Sequence, residues 1–202
     1  MKKLFLDIET IPAPDDKNET LRFLHKKALD KNKKEKKDFE QYLLNTSFDG
    51  AFGRILCVGY AINDEPAEIF YDQNEKEMLQ KFWEIAKDAD LFIGHNIMDF
   101  DLRFIYQRSV VNGVRPTREL SFARYRNNPI YDTSKEWSKW ANFAVGLEHL
   151  ALALGIPTPK DEIDGSLIYE FYKAGKIGEI LNYCKKDVET TREIYKRMTF
   201  MV

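Results

Sequence analysis

Two carboxylates interrupt an apolar run close to the start of the chain. The run is LFLDIET at residues 4–10, and its apolar side chains predict a strand that is buried in a sheet. Because side chains on a strand alternate between two faces, Asp7 and Glu9 point to the same face, a few ångströms apart. Two like charges in a core raise each other's pKa and lose their hydration. The strand therefore predicts a compensating cation.

Two more acidic residues occupy positions that commonly carry chemistry. Asp101 follows the apolar run LFIGHN at residues 91–96 and begins a helical pattern, and such strand-to-helix junctions often display catalytic groups. Asp187 comes four residues after Tyr183 in a long helical segment, so the two side chains share one helix face. Oxygen ligands suit Mg²⁺ or Mn²⁺, whereas softer metals recruit Cys or His. We predict a divalent cation held by Asp7, Glu9, Asp101 and Asp187.

The elements that must position these acids follow from hydrophobic periodicity and turn signals. A turn at NDEP joins the second and third strands into a hairpin, and the later part of the chain is mostly helical. This order of elements favours an α/β domain with a mixed sheet. Strands are predicted at residues 4–10, 54–62, 67–71, 91–96 and 130–133. Helices are predicted at residues 75–87, 101–112, 143–155, 166–175 and 177–198.

The composition is that of one globular domain that spans residues 1–202. Of the 202 residues, 44% are hydrophobic and 32% are charged, and no apolar run is long enough to cross a bilayer. The N-terminal apolar run meets Asp7 after three residues, which does not fit a secretory signal, so we expect a cytoplasmic protein. Cys57 and Cys184 form no zinc motif or disulfide framework, and we predict free thiols.

A basic segment interrupts the pattern after the first strand. Between Lys17 and Lys37 nine Lys or Arg residues stand against three acids, although the whole chain has a net charge of -2. Apolar residues at helical spacing predict a basic helical insertion at about residues 13–50. Its charges form either a nucleic-acid contact or a solvated helix face, and the second reading is the more common one.

Three segments, in order, resemble the exonuclease motifs of the DEDD superfamily. They are LFLDIETIP, GHNIMDFDLRFI and YCKKDVETT. They are most similar to the proofreading domain of family B DNA polymerases and to stand-alone bacterial exonucleases related to it. Tyr183 stands four residues before Asp187, which resembles the tyrosine subtype, DEDDy. The resemblance implies a three-layer ribonuclease H-like fold, with a mixed five-stranded central sheet flanked by helices.

The resemblance also implies a reaction and the residues that perform it. The chain would be a 3′–5′ exonuclease that acts on single-stranded or frayed DNA and releases nucleoside monophosphates. Two divalent ions, Mg²⁺ or Mn²⁺, would be bridged by Asp7, with Glu9 and Asp187 completing one site and Asp101 holding the second. Tyr183 would orient the attacking water, because a phenol with a pKa near 10 is a poor base at neutral pH.

Four further residues are expected to contact the 3′-terminal nucleotide. In this superfamily the residues after the first acidic pair and the asparagine of the second motif bind that nucleotide, here Thr10, Ile11 and Asn96. Phe100 would pack under the terminal base, although core packing is an equally good reading. Downstream, a basic stretch with one aromatic residue suits a single strand, with a plain solvated loop as the alternative. The stretch consists of Arg115, Arg118, Arg124, Tyr125 and Arg126.

Two rival functions stay open at this point. A ribonuclease of the same superfamily would trim RNA 3′ ends, and the sequence does not reveal what meets the 2′-hydroxyl. A non-catalytic nucleic-acid-binding module would retain the fold and lack turnover. The expected partner is the 3′ end of single-stranded DNA or RNA, with no membrane partner. A polymerase or repair partner is left open.

Overall fold

The central sheet has five strands and mixed pairing. A computed structural model describes residues 1–31, 38–158 and 164–201 of the chain. The strand order is β3-β2-β1-β4-β5, with antiparallel pairs β1/β2 and β2/β3 and parallel pairs β1/β4 and β4/β5. This confirms the predicted mixed five-stranded sheet. The strands are β1 (Lys3–Ile11), β2 (Arg54–Ile62), β3 (Glu68–Tyr71), β4 (Leu91–Gly94) and β5 (Ile130–Asp132).

Helices follow or separate these strands in the described parts of the chain. None of them combines the length and the apolar character that a bilayer crossing requires. Short 3-10 helices occupy Asp15–Lys17 and Thr46–Phe48. The α-helices are α1 (Asn18–Lys31), α2 (Phe39–Asn45), α3 (Glu75–Ala86), α4 (Asp101–Val111), α5 (Thr133–Ser138), α6 (Leu147–Ala153), α7 (Ile168–Lys173) and α8 (Ile177–Met198).

Helices cover both faces of β1, which makes the architecture three-layered. Leu4, Leu6 and Ile8 belong to one core cluster with the apolar faces of α3 and α4. Phe5 and Ile11 point the other way and pack with residues of α8. A strand buried on both faces needs apolar residues at nearly every position, and each buried large side chain contributes about 1.5–3 kcal/mol. The alternation also directs Asp7 and Glu9 toward α8. The ribonuclease H-like class predicted from the motifs is confirmed.

Gly59 of β2 allows α8 to cross very close to the sheet. It pairs with Asp7 in the β1/β2 ladder. A Cβ added at Gly59 would lie 2.9 Å from both Cys184 Sγ and Val188 Cγ2, two core residues of α8. Real Cβ atoms are not found this close to other heavy atoms. The missing side chain therefore brings α8 close to β1 beside Asp7.

Several predicted boundaries differ from the observed ones for local reasons. β4 ends at Gly94 and not at residue 96, because Asn96 adopts a left-handed backbone with φ of 59°. The helix predicted at 143–155 begins only after Gly146, which has an extended conformation. The helix predicted at 166–175 is shortened to α7. Helix α5 was not predicted, since six residues are too few to show a helical period.

The segment after β1 contains helices α1 and α2. Leu21 anchors α1 with no exposed surface, and the rings of His25 and Tyr42 join the two helices with centroids 5.0 Å apart. Residues 32–37, which hold part of the predicted basic charge, lie outside the described residues. Helical structure occurs at the predicted place. That residues 1–202 form one domain with an insertion at about 13–50 stays a prediction.

Replacing Gly59 by alanine should separate α8 from the sheet. We expect Gly59→Ala to lower the free energy of unfolding by about 1–3 kcal/mol, because the new methyl group overpacks the interface. Urea denaturation measures this change. Gly178→Ala is the matched control, since Gly178 lies in the first turn of α8 with nothing within 4 Å of the added Cβ. Equal stability of the two variants would contradict the close approach.

Candidate active site

Asp7 and Glu9 lie side by side in the middle layer, on the face of β1 that α8 covers. Asp7 pairs with Gly59 and Glu9 with Cys57 across the β1/β2 ladder. Glu9 is 8% exposed and Asp7 is half-buried. The register of the ladder shifts directly after Glu9. Two carboxylates are thus fixed on one face by the ladder itself, as the period-two spacing predicts.

Asp101 reaches the same end of β1 because β4 stops early. The parallel β1/β4 pairing runs from Lys3↔Leu91 to Phe5↔Ile93 and then ends. Farther along β1, the backbone N–H of Ile8 donates instead to Asp101 Oδ1 at 3.0 Å. A carboxylate therefore replaces the missing strand as the acceptor. This bond holds Asp101, the first residue of α4 and only 3% exposed, next to Asp7.

Helix α8 supplies the remaining predicted residues. Tyr183 and Asp187 are one helical turn apart, and the Asp187 carboxylate is near enough to the tyrosine hydroxyl to raise its pKa. The pKa of Tyr183 is raised above its ordinary value by burial, and then by the charges of Asp187, Glu9 and Asp7. The structure thus brings together all five residues that the motifs nominate as catalytic, from β1, α4 and α8.

Burial and mutual repulsion make this cluster hard to ionise. Burial is the main cause that raises the pKa of Asp7 well above its usual range, followed by Glu9, Asp187 and Asp101. Burial likewise raises the pKa of Glu9, and it raises that of Asp101 to about 7 even though backbone N–H groups oppose the shift. A cation would relieve all of these penalties at once.

The donor set fits a hard divalent cation. Asp7, Glu9 and Cys184 each offer one atom, and these atoms lie within 4.8 Å of one another. Asp7 Oδ2 is buried and makes no hydrogen bond with a described group, which leaves a lone pair for a metal. The Cys184 thiol donates weakly to the Asp7 carbonyl, at 3.6 Å, and burial raises its pKa, so it keeps its proton. The carboxylate oxygens are therefore the candidate ligands.

A comparison with known families agrees with this geometry. Residues 69–202 match the family described as "predicted 3'-5' exonuclease related to the exonuclease domain of PolB". The chain belongs to this exonuclease family. The matched region contains Asp101, Tyr183 and Asp187, whereas Asp7 and Glu9 precede it. The match therefore concerns the second and third motifs.

A solved structure shares the fold of this family member. The family B DNA polymerase from the hyperthermophilic archaeon Pyrobaculum calidifontis aligns with a TM-score of 0.68 and 17% identity. The alignment covers 98% of this chain and 24% of the polymerase, so the chain spans about a quarter of that protein's length. At this identity the likeness shows the fold alone. No curated protein sequence matches the chain.

The four residues predicted to contact substrate lie at different depths in this exonuclease-family fold. Thr10 Oγ1 donates to the carbonyl of Ser47 at 2.7 Å. Ile11 is 3% exposed and packs in the core, so only its backbone could meet a ligand. Asn96 is half-buried at the left-handed turn that follows β4. Phe100 is half-buried next to Asp101, and it packs against core residues on one side.

Phe48 is a neighbour of the site that the motifs did not reveal. It is 71% exposed on the 3-10 turn that Thr10 holds through Ser47. Its ring centroid lies 6.5 Å from that of Phe100. Two aromatic rings thus stand next to the residues that adjoin Glu9 and Asp101. No sequence signal marked Phe48, because it follows a segment with a helical pattern that carries no motif.

Asp132 is a second residue that the sequence did not nominate. It is 1% exposed at the end of β5, and its carboxylate accepts backbone N–H bonds of 3.0–3.2 Å from both sides. Two come from the loop before α4 and two from the first turn of α5. Asp132 therefore fixes the loop that delivers Asp101. An aspartate before Thr-Ser is a helix N-cap signal, and it could have indicated this role. The four donors are Asn96, Met98, Ser134 and Lys135.

Removal of divalent ions should make stability depend on pH. The raised pKa values mean that the folded, metal-free protein binds more protons than the unfolded chain between about pH 4 and 7, so stability falls as pH rises through this window. A divalent ion competes with these protons. At saturating Mn²⁺ we expect the melting temperature to rise by about 5–10 °C at pH 8, and by less at pH 5.5. Scanning fluorimetry with EDTA or MnCl₂ measures both effects.

Asp7→Asn separates the charge effect from general destabilisation. In EDTA at pH 8 we expect this variant to melt at or above the wild-type temperature, because one crowded charge is removed, and to gain little from Mn²⁺. Asp88→Asn changes an exposed acid on the α3–β4 connection and serves as the control. A wild-type response to Mn²⁺ in Asp7→Asn would rule out Asp7 as a ligand.

Proposed function

We propose that the protein is a metal-dependent 3′–5′ exonuclease that removes nucleoside monophosphates from single-stranded DNA or from a frayed 3′ end. The observation that carries the proposal is the convergence of four carboxylates and Tyr183 at one end of β1. Membership in a family of predicted 3′–5′ exonucleases supports the same conclusion. The charge repulsion in this cluster destabilises the fold, and such clusters are typical of functional sites.

The four carboxylates would hold the divalent ions. Asp7, Glu9 and Asp187 would be ligands from β1 and α8, and Asp101 would be a ligand from the start of α4. When bound, such ions lower the pKa of a water molecule and neutralise charge on the phosphate. Glu9 and Asp101 are almost fully buried, and the Asp101 carboxylate is fixed by a backbone N–H. The chain's own contribution is therefore a set of rigidly held carboxylates, whose raised pKa values mean that a bound cation would displace their protons.

Hydrolysis requires a correctly placed water. The water oxygen bonds to the phosphorus of the last phosphodiester, and the bond to the 3′ oxygen of the remaining strand breaks. The water loses a proton, and the departing 3′ oxygen gains one. Tyr183 does not abstract that proton, because its pKa is raised above the ordinary phenol value. Its hydroxyl, one helical turn from Asp187, is suited to hold the water in line by hydrogen bonding.

The 3′-terminal nucleotide would bind between the first and second motifs. Asn96 and the backbone after Glu9 offer polar contacts to its sugar and base. The rings of Phe48 and Phe100 lie at the same place, with centroids 6.5 Å apart, and a base could stack on an accessible ring whatever its identity. This arrangement favours digestion without sequence preference.

Loss of single carboxylates should abolish digestion. We expect Asp7→Ala and Asp187→Ala to leave a 5′-labelled single-stranded oligonucleotide intact with Mg²⁺ or Mn²⁺, because the cation cage is broken. Tyr183→Phe should keep roughly one hundredth of the wild-type kcat, since water orientation is one of several contributions. Denaturing gels follow the shortening ladder, and chromatography identifies the mononucleotide product.

Glu193→Gln is the control for these variants. Glu193 lies on α8 as well and forms an ion pair with Lys196. Matched DNA and RNA substrates belong in the same experiment, since faster digestion of RNA would assign the ribonuclease function. Binding without cleavage under any divalent ion would assign a non-catalytic module. Full activity of Asp7→Ala would overturn the proposed active site.

Loss of the Phe48 ring should weaken binding of the terminal nucleotide. We expect Phe48→Ala to raise KM for a short oligonucleotide roughly tenfold, because stacking on an aromatic ring contributes about 1–3 kcal/mol per base. Steady-state digestion of a trinucleotide measures this effect. Phe200→Ala is the control: Phe200 is 92% exposed, and its neighbour Met201 contacts Lys3, roughly 20 Å along β1 from Glu9. Equal KM values for the two variants would exclude the stacking role.

A further inference from the structure

Two adjoining cavities lie beside the loop that carries the second motif. Their volumes are about 770 Å³ and about 310 Å³, and Arg103 and Phe122 line both of them. The smaller cavity is also lined by Met98 and Asp99. These two residues directly precede Phe100 and Asp101. The two cavities thus share two wall residues, and the smaller one lies beside the residues that lead into the candidate active site; together we call them the upstream groove.

Positive charge is concentrated along the upstream groove. Of the described residues that line it, five are cationic and two, Asp99 and Glu119, are acidic, although the chain as a whole has a net charge of -2. Arg115 and Arg124 are exposed and form no ion pair with a described residue. Their charges are available to a polyanion. The cationic residues are Arg103, Arg115, Arg118, Arg124 and Lys135.

Aromatic side chains alternate with these cations. Tyr125 is 74% exposed, and its ring centroid lies 5.3 Å from that of Trp140 in the wall of the smaller cavity. The Arg103 guanidinium lies 5.3 Å from the centroid of the Phe122 ring. Cations for phosphates, together with ring faces for bases, are the combination that single-stranded nucleic-acid sites use.

We propose that the upstream groove binds the part of a single strand that lies 5′ of its terminal nucleotide. The inference rests on the proposed exonuclease function, because the carboxylates fix where the 3′ end sits. The strand would leave the active site past Phe100 and follow Asp99, Arg103 and then Arg115. The sequence allowed two interpretations of the basic stretch at residues 115–126, a solvated loop or a contact with single-stranded nucleic acid. The proposal favours the second.

Substrate length separates the groove from the active site. A dT trinucleotide reaches at most the first part of the groove beside Phe100, whereas dT₁₅ is long enough to follow the groove to Arg115 and Arg124. We expect the double variant Arg115→Ala/Arg124→Ala to digest the trinucleotide at the wild-type rate and to lose about tenfold in kcat/KM on dT₁₅. Loss of two phosphate contacts should also lower the slope of log affinity against log salt by about 1.4 for dT₁₅ binding. Digestion assays and fluorescence anisotropy in EDTA measure these quantities.

Lys26→Ala/Lys27→Ala removes two exposed cations from α1 and is the matched control. The groove is ruled out if the arginine variant digests and binds dT₁₅ as well as the wild type does. It is also ruled out if kcat/KM falls equally for the trinucleotide and dT₁₅, or if the lysine variant loses as much kcat/KM on dT₁₅ as the arginine variant. Failure of the proposed function looks different: wild-type protein then digests neither oligonucleotide. In that case fluorescence anisotropy still tests the groove. Binding of dT₁₅ that is lost in the arginine variant supports the proposal, and binding that is unchanged in that variant overturns it.

Discussion

Four carboxylates meet at the end of β1. The rest of the site depends on how the fold tolerates the electrostatic repulsion between them. Each acid is buried or half-buried, so each raises the pKa of its neighbours in a medium that screens poorly. Folding can tolerate such a cluster only if the backbone that carries it is held firmly. The three-layer arrangement provides this support, with apolar contacts on both faces of β1 and hydrogen bonds along its edges.

Two local features bring the acids together from opposite layers. The early end of β4 leaves the Ile8 N–H without a strand partner, and the carboxylate at the start of α4 takes that position. On the other face, the absent side chain of Gly59 lets α8 approach until Asp187 and Tyr183 adjoin Asp7. Neither feature belongs to the catalytic motifs. Together they decide whether Asp101 and Asp187, which lie 94 and 180 positions after Asp7, can meet it at one site.

The surroundings of the acids divide into a rigid side and an open side. Asp132 and His95 tie the loop before α4 to β5 and to the segment before α6: His95 contacts Thr133 Oγ1 at 2.9 Å and the Val145 carbonyl at 2.7 Å. The open side carries the exposed ring of Phe48 and the groove of arginines and aromatics. A rigid support beside an accessible surface of cations and rings is consistent with the proposed exonuclease function.

The sequence by itself determined the five strands, the long helices α3, α4 and α8, and the five residues that meet at the site. These features could be predicted because hydrophobic periods of 2 and 3.6 residues, and motifs in a fixed order, depend only on spacing along the chain. Tertiary structure alone decided the positions of Phe48, Gly59 and Asp132, and placed Arg103 in the walls of both cavities, with Arg115 in one and Arg124 in the other. All three positions are consequences of long-range packing. Phe48 lies beside the ring of Phe100, Gly59 lies under α8 without a Cβ, and Asp132 accepts hydrogen bonds from two segments. No local pattern encodes them, because each depends on atoms that the chain brings together only on folding.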